Sequence, residues 1–188
     1  MGEAVYPTMD DIEAKLDELV RAHPEAVEVR VIGRSYEGRD IPMAVVTDRG
    51  VPEEDKEAVL VIAGQHGSEE GGRISALALL DWLVSEEAGD TLRRQAVHVV
   101  PCVNVDGSWR NCSATAEGVN LNRCYPEGGK PATVEARAVW AVAEALQPEV
   151  AVDMHGLAGG GPQDMVLRMY TRQYTEDGHI HDLIAFQM

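Results

Sequence analysis

At 188 residues the chain is long enough for one domain with a sizeable core and short for two. Its 32 acidic against 16 basic residues give a formal net charge of −16, which repels phosphate backbones and anionic lipid and so argues against nucleic-acid and membrane-surface partners. Hydrophobic residues make up 45%, ordinary for a globular protein, and no stretch approaches the roughly 20 apolar residues of a membrane span.

The segment Met1–Asp11 is polar and acidic, without the basic and apolar regions of a secretory signal, so the chain reads as cytoplasmic. Cys102, Cys112 and Cys124 are an odd set without C-x-x-C spacing. They read as free thiols in a reducing compartment rather than as a cysteine metal site. The first predicted helix spans Met9 to His23, with Ile12, Leu16, Leu19 and Val20 at helical spacing and Pro24 as its stop. Alternation of Val27, Val29 and Val31 with charged residues predicts a strand. Gly33–Asp40 reads as a hairpin turn, and Ile41–Thr47 as the returning strand of an antiparallel edge pair.

The continuous apolar run Ala58–Gly64 predicts a strand buried on both faces. A helix from about Glu70 to Ser85 follows, with Ile74, Leu77, Leu80 and Leu83 expected inward. Val97–Val103 is the next strand. Pro131 and Thr133 open a helix to about Leu146, and Glu149–Asp153 is a further buried strand ending at His155. Leu157–Pro162 reads as a flexible loop, Met165–Tyr170 as one more strand, and Asp182–Met188 as an apolar tail. Strands alternating with helices imply an α/β fold, a mixed β-sheet sandwiched by helices in a single domain over residues 1–188. The loops after the strand C-termini then converge on one edge.

Three clusters on those loops carry chemistry. His66 and Glu69, in Gln65-His66-Gly67-Ser68-Glu69, can reach one cation where a loop turns into a helix. The same spacing also suits a loop histidine followed by a glutamate favoured at a helix start. His155 stands at a strand C-terminus beside Gly156, where it can face the His66 loop. Asp153 is either a partner that orients it or a strand-end carboxylate. His23, His98, His179 and His181 lack this placement and read as non-ligands. The third cluster is Asn104-Val105-Asp106-Gly107, Arg110 and Gly118-Val119-Asn120-Leu121-Asn122-Arg123, an irregular stretch whose arginines could grip a carboxylate in a two-pronged fashion.

In order, Tyr6-Pro7-Thr8, Ile32–Arg39, His66–Glu69, the Asn104–Gly107 turn, Gly118–Arg123 and Asp153–His155 resemble the zinc-carboxypeptidase family over nearly the whole chain. The resemblance implies one Zn2+ per chain on His66, Glu69 and His155, with Asn122 and Arg123 gripping a substrate's terminal carboxylate. It implies hydrolysis of a C-terminal peptide bond in a substrate with a free carboxylate. Arg110 is the candidate for stabilising the oxyanion, although the family's usual place for that arginine corresponds to Ser113. Relatives often carry Asp where this chain has Asn120. The family's general-base glutamate lies far downstream of the late histidine; here the one later glutamate, Glu176, stands too close to His155 and is not assigned as the base. The sequence therefore reads as the N-terminal portion of a catalytic domain, incomplete at the C-terminus. Two alternatives stand beside it: a zinc amidase or deacylase acting on small acyl-amino acids, and a non-catalytic zinc- or peptide-binding domain.

Overall fold

The computed structural model describes residues 7–125 and 130–156, and the main chain of 165–167. Helix α1 (Met9–Ala22) starts on a reciprocal cap: the Thr8 Oγ1 accepts from the Asp11 N–H at 3.2 Å, and the Asp11 carboxylate accepts from the Thr8 N–H at 2.7 Å. It buries Ile12, Leu16 and Leu19 of the predicted stripe, with Met9 in addition, while Val20 is only half-buried. Strands β1 (Val27–Arg34) and β2 (Asp40–Val46) pair antiparallel around the expected turn. Strand β3 (Glu57–Ala63) leads into helix α2 (Glu70–Leu83), and the short helix α3 (Gly89–Leu92) precedes β4 (Gln95–Val100). After the one-turn helix α4 (Val105–Trp109) come a 3₁₀ turn at Leu121–Arg123 and helix α5 (Val134–Leu146), capped by Thr133. Strands β5 (Val150–Gly156) and β6 (Met165–Leu167) complete the described elements.

The sheet order is β1-β2-β4-β3-β5-β6. β3 runs parallel to β4 and β5, while β1, β2 and β6 join antiparallel, so the sheet is mixed with β1 as an antiparallel edge. Consecutive residues of a strand point to opposite faces. Val59, Leu60 and Val61 are all buried, and so are all residues of β2 from Ile41 to Val46. Both faces are therefore covered, as an α/β sandwich requires. Two expectations need correction. Ile74 is only half-buried, because α2 turns Gly72, Arg73 and Ala76 inward with Leu80 and Leu83. β5 is not buried throughout: Val150 and Ala151 are exposed, and burial is complete only at His155 and Gly156. The buried end is the one on which α2 rests, with Gly72 against Met154 O and Gly71 against Gly156. All three cysteines are free, and full burial pushes the Cys102 thiol up to about 11. No helix among the described residues is long and apolar enough to cross a membrane. The expected Leu157–Pro162 loop, His179, His181, Glu176 and the apolar tail lie outside the described residues.

Candidate metal centre

The chain leaves the buried end of β3 at Ala63 and turns back into α2 through Gln65–Glu69. Hydrogen bonds from neighbouring segments fix that loop. The Val103 and Asn104 main-chain N–H groups donate to Ala63 O and Gly64 O at 2.9 and 3.0 Å. Asn104 Nδ2 donates to Gln65 O at 3.2 Å and to Ser113 O at 3.3 Å. Arg73, buried in the first turn of α2, donates from Nη1 to Gly67 O at 2.6 Å. Gly67 itself lies so close to α4 that a Cβ would come within 2.1 Å of Gly107 C, so only glycine fits.

His155 is delivered by the neighbouring strand. In the parallel register Ile62 faces Asp153 and Ala63 faces Met154, which sets His155 just past the end of β3. Helix α2 rests directly on β5 here: a Cβ on Gly72 would be 2.5 Å from Met154 O. That contact brings Glu69, the residue before α2, to β5, where the Gly156 N–H donates to Glu69 Oε2 at 3.1 Å.

The outcome is one cluster. His66 Nδ1 lies 2.8 Å from Glu69 Oε1, and His155 Nδ1 lies 2.9 Å from Glu69 Oε2. The imidazole centroids are 5.1 Å apart. Ligand atoms of His66, Glu69 and His155 all lie within 4.8 Å of one another, and neither His23 nor His98 joins them. Both Nδ1 atoms thus face the carboxylate, and both Nε2 atoms face outward: His66 Nε2 lies 3.1 Å from Asn120 Oδ1 and His155 Nε2 lies 3.0 Å from Asp153 Oδ2. Those two oxygens are acceptors, so they favour the tautomer with the proton on Nε2. That tautomer leaves each Nδ1 lone pair free to bind a cation. Two imidazoles and one carboxylate, with outer acceptors in place, fit a zinc ion that keeps a further position open. The hydrogen bond to Asp153 raises the His155 pKa above its ordinary value against the opposing effect of burial, with Glu69 adding to the rise. Burial alone would raise the Glu69 pKa, but the Gly156 N–H and the two histidines hold it below its ordinary value.

The third sequence cluster divides. Asn122 reaches the centre: its side-chain amide lies 3.2 Å from His155 Nε2, a contact and not a hydrogen bond in the Nε2-protonated tautomer, and its N–H donates to Asn120 Oδ1 at 3.0 Å. Arg123 is exposed beside it and donates to Asn122 O at 3.3 Å. Arg110 caps α4 and is ion-paired with Glu37. Ser113, the alternative position for that arginine, has its hydroxyl 2.6 Å from that of Ser68, inside the His66–Glu69 loop. Asn104 and Asp106 are fully buried and structural. Asp106 accepts from Ser35 Oγ at 2.8 Å, from the Glu37 N–H at 2.9 Å and from Arg39 Nη1 at 2.6 Å, while Glu135 accepts from the Tyr36 N–H at 2.9 Å. The Gly33–Asp40 turn is therefore clamped by two buried carboxylates. Sequence reasoning missed the roles of Gln65, Arg73 and Glu135. A charged residue at an inward position of an apolar helix is the one signal that could have marked Arg73 and Glu135.

Comparison with known proteins agrees with this geometry. The family model described as zinc carboxypeptidase matches residues 12–155. Carboxypeptidase E of Caenorhabditis elegans is 29% identical over 143 residues, covering 65% of this chain and 30% of that protein. Murein peptide amidase A of Escherichia coli is 35% identical over 94 residues, 50% of this chain and 36% of that protein. The crystal structure of a metallo-carboxypeptidase from Burkholderia cenocepacia superposes with a TM-score of 0.70 at 28% identity, over 81% of this chain and 42% of that one. The chain thus spans about a third of the length of these curated relatives.

Proposed function

The chain belongs to the zinc-carboxypeptidase family, and from that premise we propose that it takes part in zinc-dependent hydrolysis of a C-terminal peptide bond. The observation that carries the proposal is the convergence of His66 Nδ1, Glu69 and His155 Nδ1 on one point, with acceptors behind both imidazoles. These three residues would hold the metal. Once bound, zinc supplies Lewis acidity toward the scissile carbonyl and an activated water. Asn122 and Arg123 would receive the substrate's free carboxylate. Arg110 is the arginine proposed for the oxyanion, and it would first have to leave Glu37. Among the described residues none is assigned as the proton shuttle.

The test is zinc content by mass spectrometry with hydrolysis of peptides bearing either a free or an amidated C-terminus. We expect one zinc per chain and a preference for the free carboxylate that Arg123→Ala removes. Arg110→Ala should cost about 10²–10³-fold in kcat, the range for loss of an oxyanion donor. Full zinc retention by His66→Ala refutes the ligand set. Equal rates on both peptides refute the carboxylate grip. A second reading, amide cleavage in cell-wall peptide, is favoured by the 35% identity to murein peptide amidase A. Cleavage of muropeptides but not of ordinary peptides would select it.

A further inference from the structure

We infer that Gln65 is a positioning residue of the metal centre, acting on His155 through Asp153; this rests on the zinc reading above. Gln65 precedes the first proposed ligand in the chain, yet its side chain runs to the third. It is buried, and its Nε2 donates to Asp153 Oδ2 at 2.5 Å. That same oxygen lies 3.0 Å from His155 Nε2. The remaining oxygens of the pair, Asp153 Oδ1 and Gln65 Oε1, are buried without a hydrogen-bond partner among the described residues. Two donors on one oxygen, an amide and an imidazole, therefore set how the carboxylate is turned.

The amide is itself held. Gln65 O accepts from Asn104 Nδ2 at 3.2 Å, so the main chain and the tip of this side chain are both fixed. A chain of hydrogen bonds then runs from Asn104 through Gln65 and Asp153 to His155, crossing from the β3 loop to the end of β5. With Asp153 aimed at Nε2, the His155 proton stays on that nitrogen and the Nδ1 lone pair stays inward. His66 is served differently, since its Nε2 meets the neutral amide oxygen of Asn120. The charged outer partner belongs to the His155 arm, and Gln65 governs its aim.

Zinc affinity, measured by competition with a chromogenic chelator, and the visible absorption of the cobalt-substituted protein test this. Asp153→Asn should weaken zinc about 10–100-fold, the usual cost of losing an outer partner. Gln65→Met should weaken it by about tenfold, at the lower end of that range, and shift the cobalt bands. The double variant should bind no more weakly than Asp153→Asn alone, because Gln65 acts only through that carboxylate. Wild-type affinity and spectrum in Gln65→Met, or a loss that multiplies with that of Asp153→Asn, overturns the inference. If Gln65→Met does not fold, Gln65→Glu keeps the length, replaces the donor by an acceptor and should lose at least as much. A wild-type chain that takes up no zinc sinks the zinc reading itself, whatever the variants do.

Discussion

Glu69 and Asp106 are both carboxylates set in hydrogen bonds from distant parts of the chain, but their partners differ in kind. Asp106 is fully buried and closed: a hydroxyl, a main-chain N–H and the Arg39 guanidinium meet its two oxygens, and the turn Ser35–Arg39 is locked as a consequence. Glu69 faces one main-chain N–H and two imidazole Nδ1 atoms, each able to offer a lone pair. A guanidinium has no lone pair to offer, since it stays protonated. The first cluster can only hold shape, whereas the second can take up a cation. Two equally polar runs of sequence thus serve different ends.

Substitutions can break that contrast. The largest effect should come from His66→Ala, which is expected to abolish stoichiometric zinc while shifting metal-free stability by only about 1 kcal/mol. Metal analysis with urea unfolding checks it, and a large loss of metal-free stability would mean that the open cluster also holds the fold. Asp106→Ala should do the reverse. It leaves Ser35 Oγ and the Glu37 N–H without their buried acceptor, while Arg39 keeps Glu37, and should cost about 1–3 kcal/mol in urea unfolding. A cost below about 1 kcal/mol would show that the clamp is dispensable.

Gly67→Ala strikes the contact between the two clusters, since the added Cβ would sit 2.1 Å from Gly107 C. We expect a loss of about 1–3 kcal/mol together with weaker zinc binding. Loss of stability alone would show that the ligand loop and α4 are not mechanically joined. The smallest effect lies outside both clusters. Burial, helped by the charge of Arg30 and opposed by Glu53, lowers the His98 pKa below 6.5. His98 therefore favours the folded state above about pH 6.5 and loses that contribution as pH falls through its lowered folded value. His98→Gln should flatten the stability–pH profile in that acidic window without changing the profile of zinc uptake. An unchanged stability profile would refute the burial effect.

Much of this arrangement was legible because it is local. The stripe Ile12, Leu16, Leu19 gives α1, the run Ala58–Gly64 gives β3, and His66 and Glu69 sit three residues apart. His155 could be placed because a strand end exposes its last side chains to the sheet edge. The supports were not legible, because they depend on which strands become neighbours. Gln65 meets Asp153 only because β5 lies beside β3, with β4 on the other side. Ser35 meets Asp106 across 71 residues and Tyr36 meets Glu135 across 99. The Asn104–Gly107 stretch looked like part of the site for the same reason: its polarity is visible in sequence, and its burial is not. Periodicity points Ile74 inward because large apolar residues usually mark a helix contact, whereas Gly72 makes it here.

That glycine contact has a consequence for how the centre could drift. The helix bearing Glu69 at its start touches β5 main chain to main chain, with Gly72 against Met154 O and Gly156 against Gly71 N. No side chain acts as a spacer between them. A side chain added at Gly72 would therefore meet the β5 main chain itself, 2.5 Å from Met154 O, where no rotamer change can relieve it. The separation of Glu69 and His155 is thus exposed to mutation most directly at these glycines.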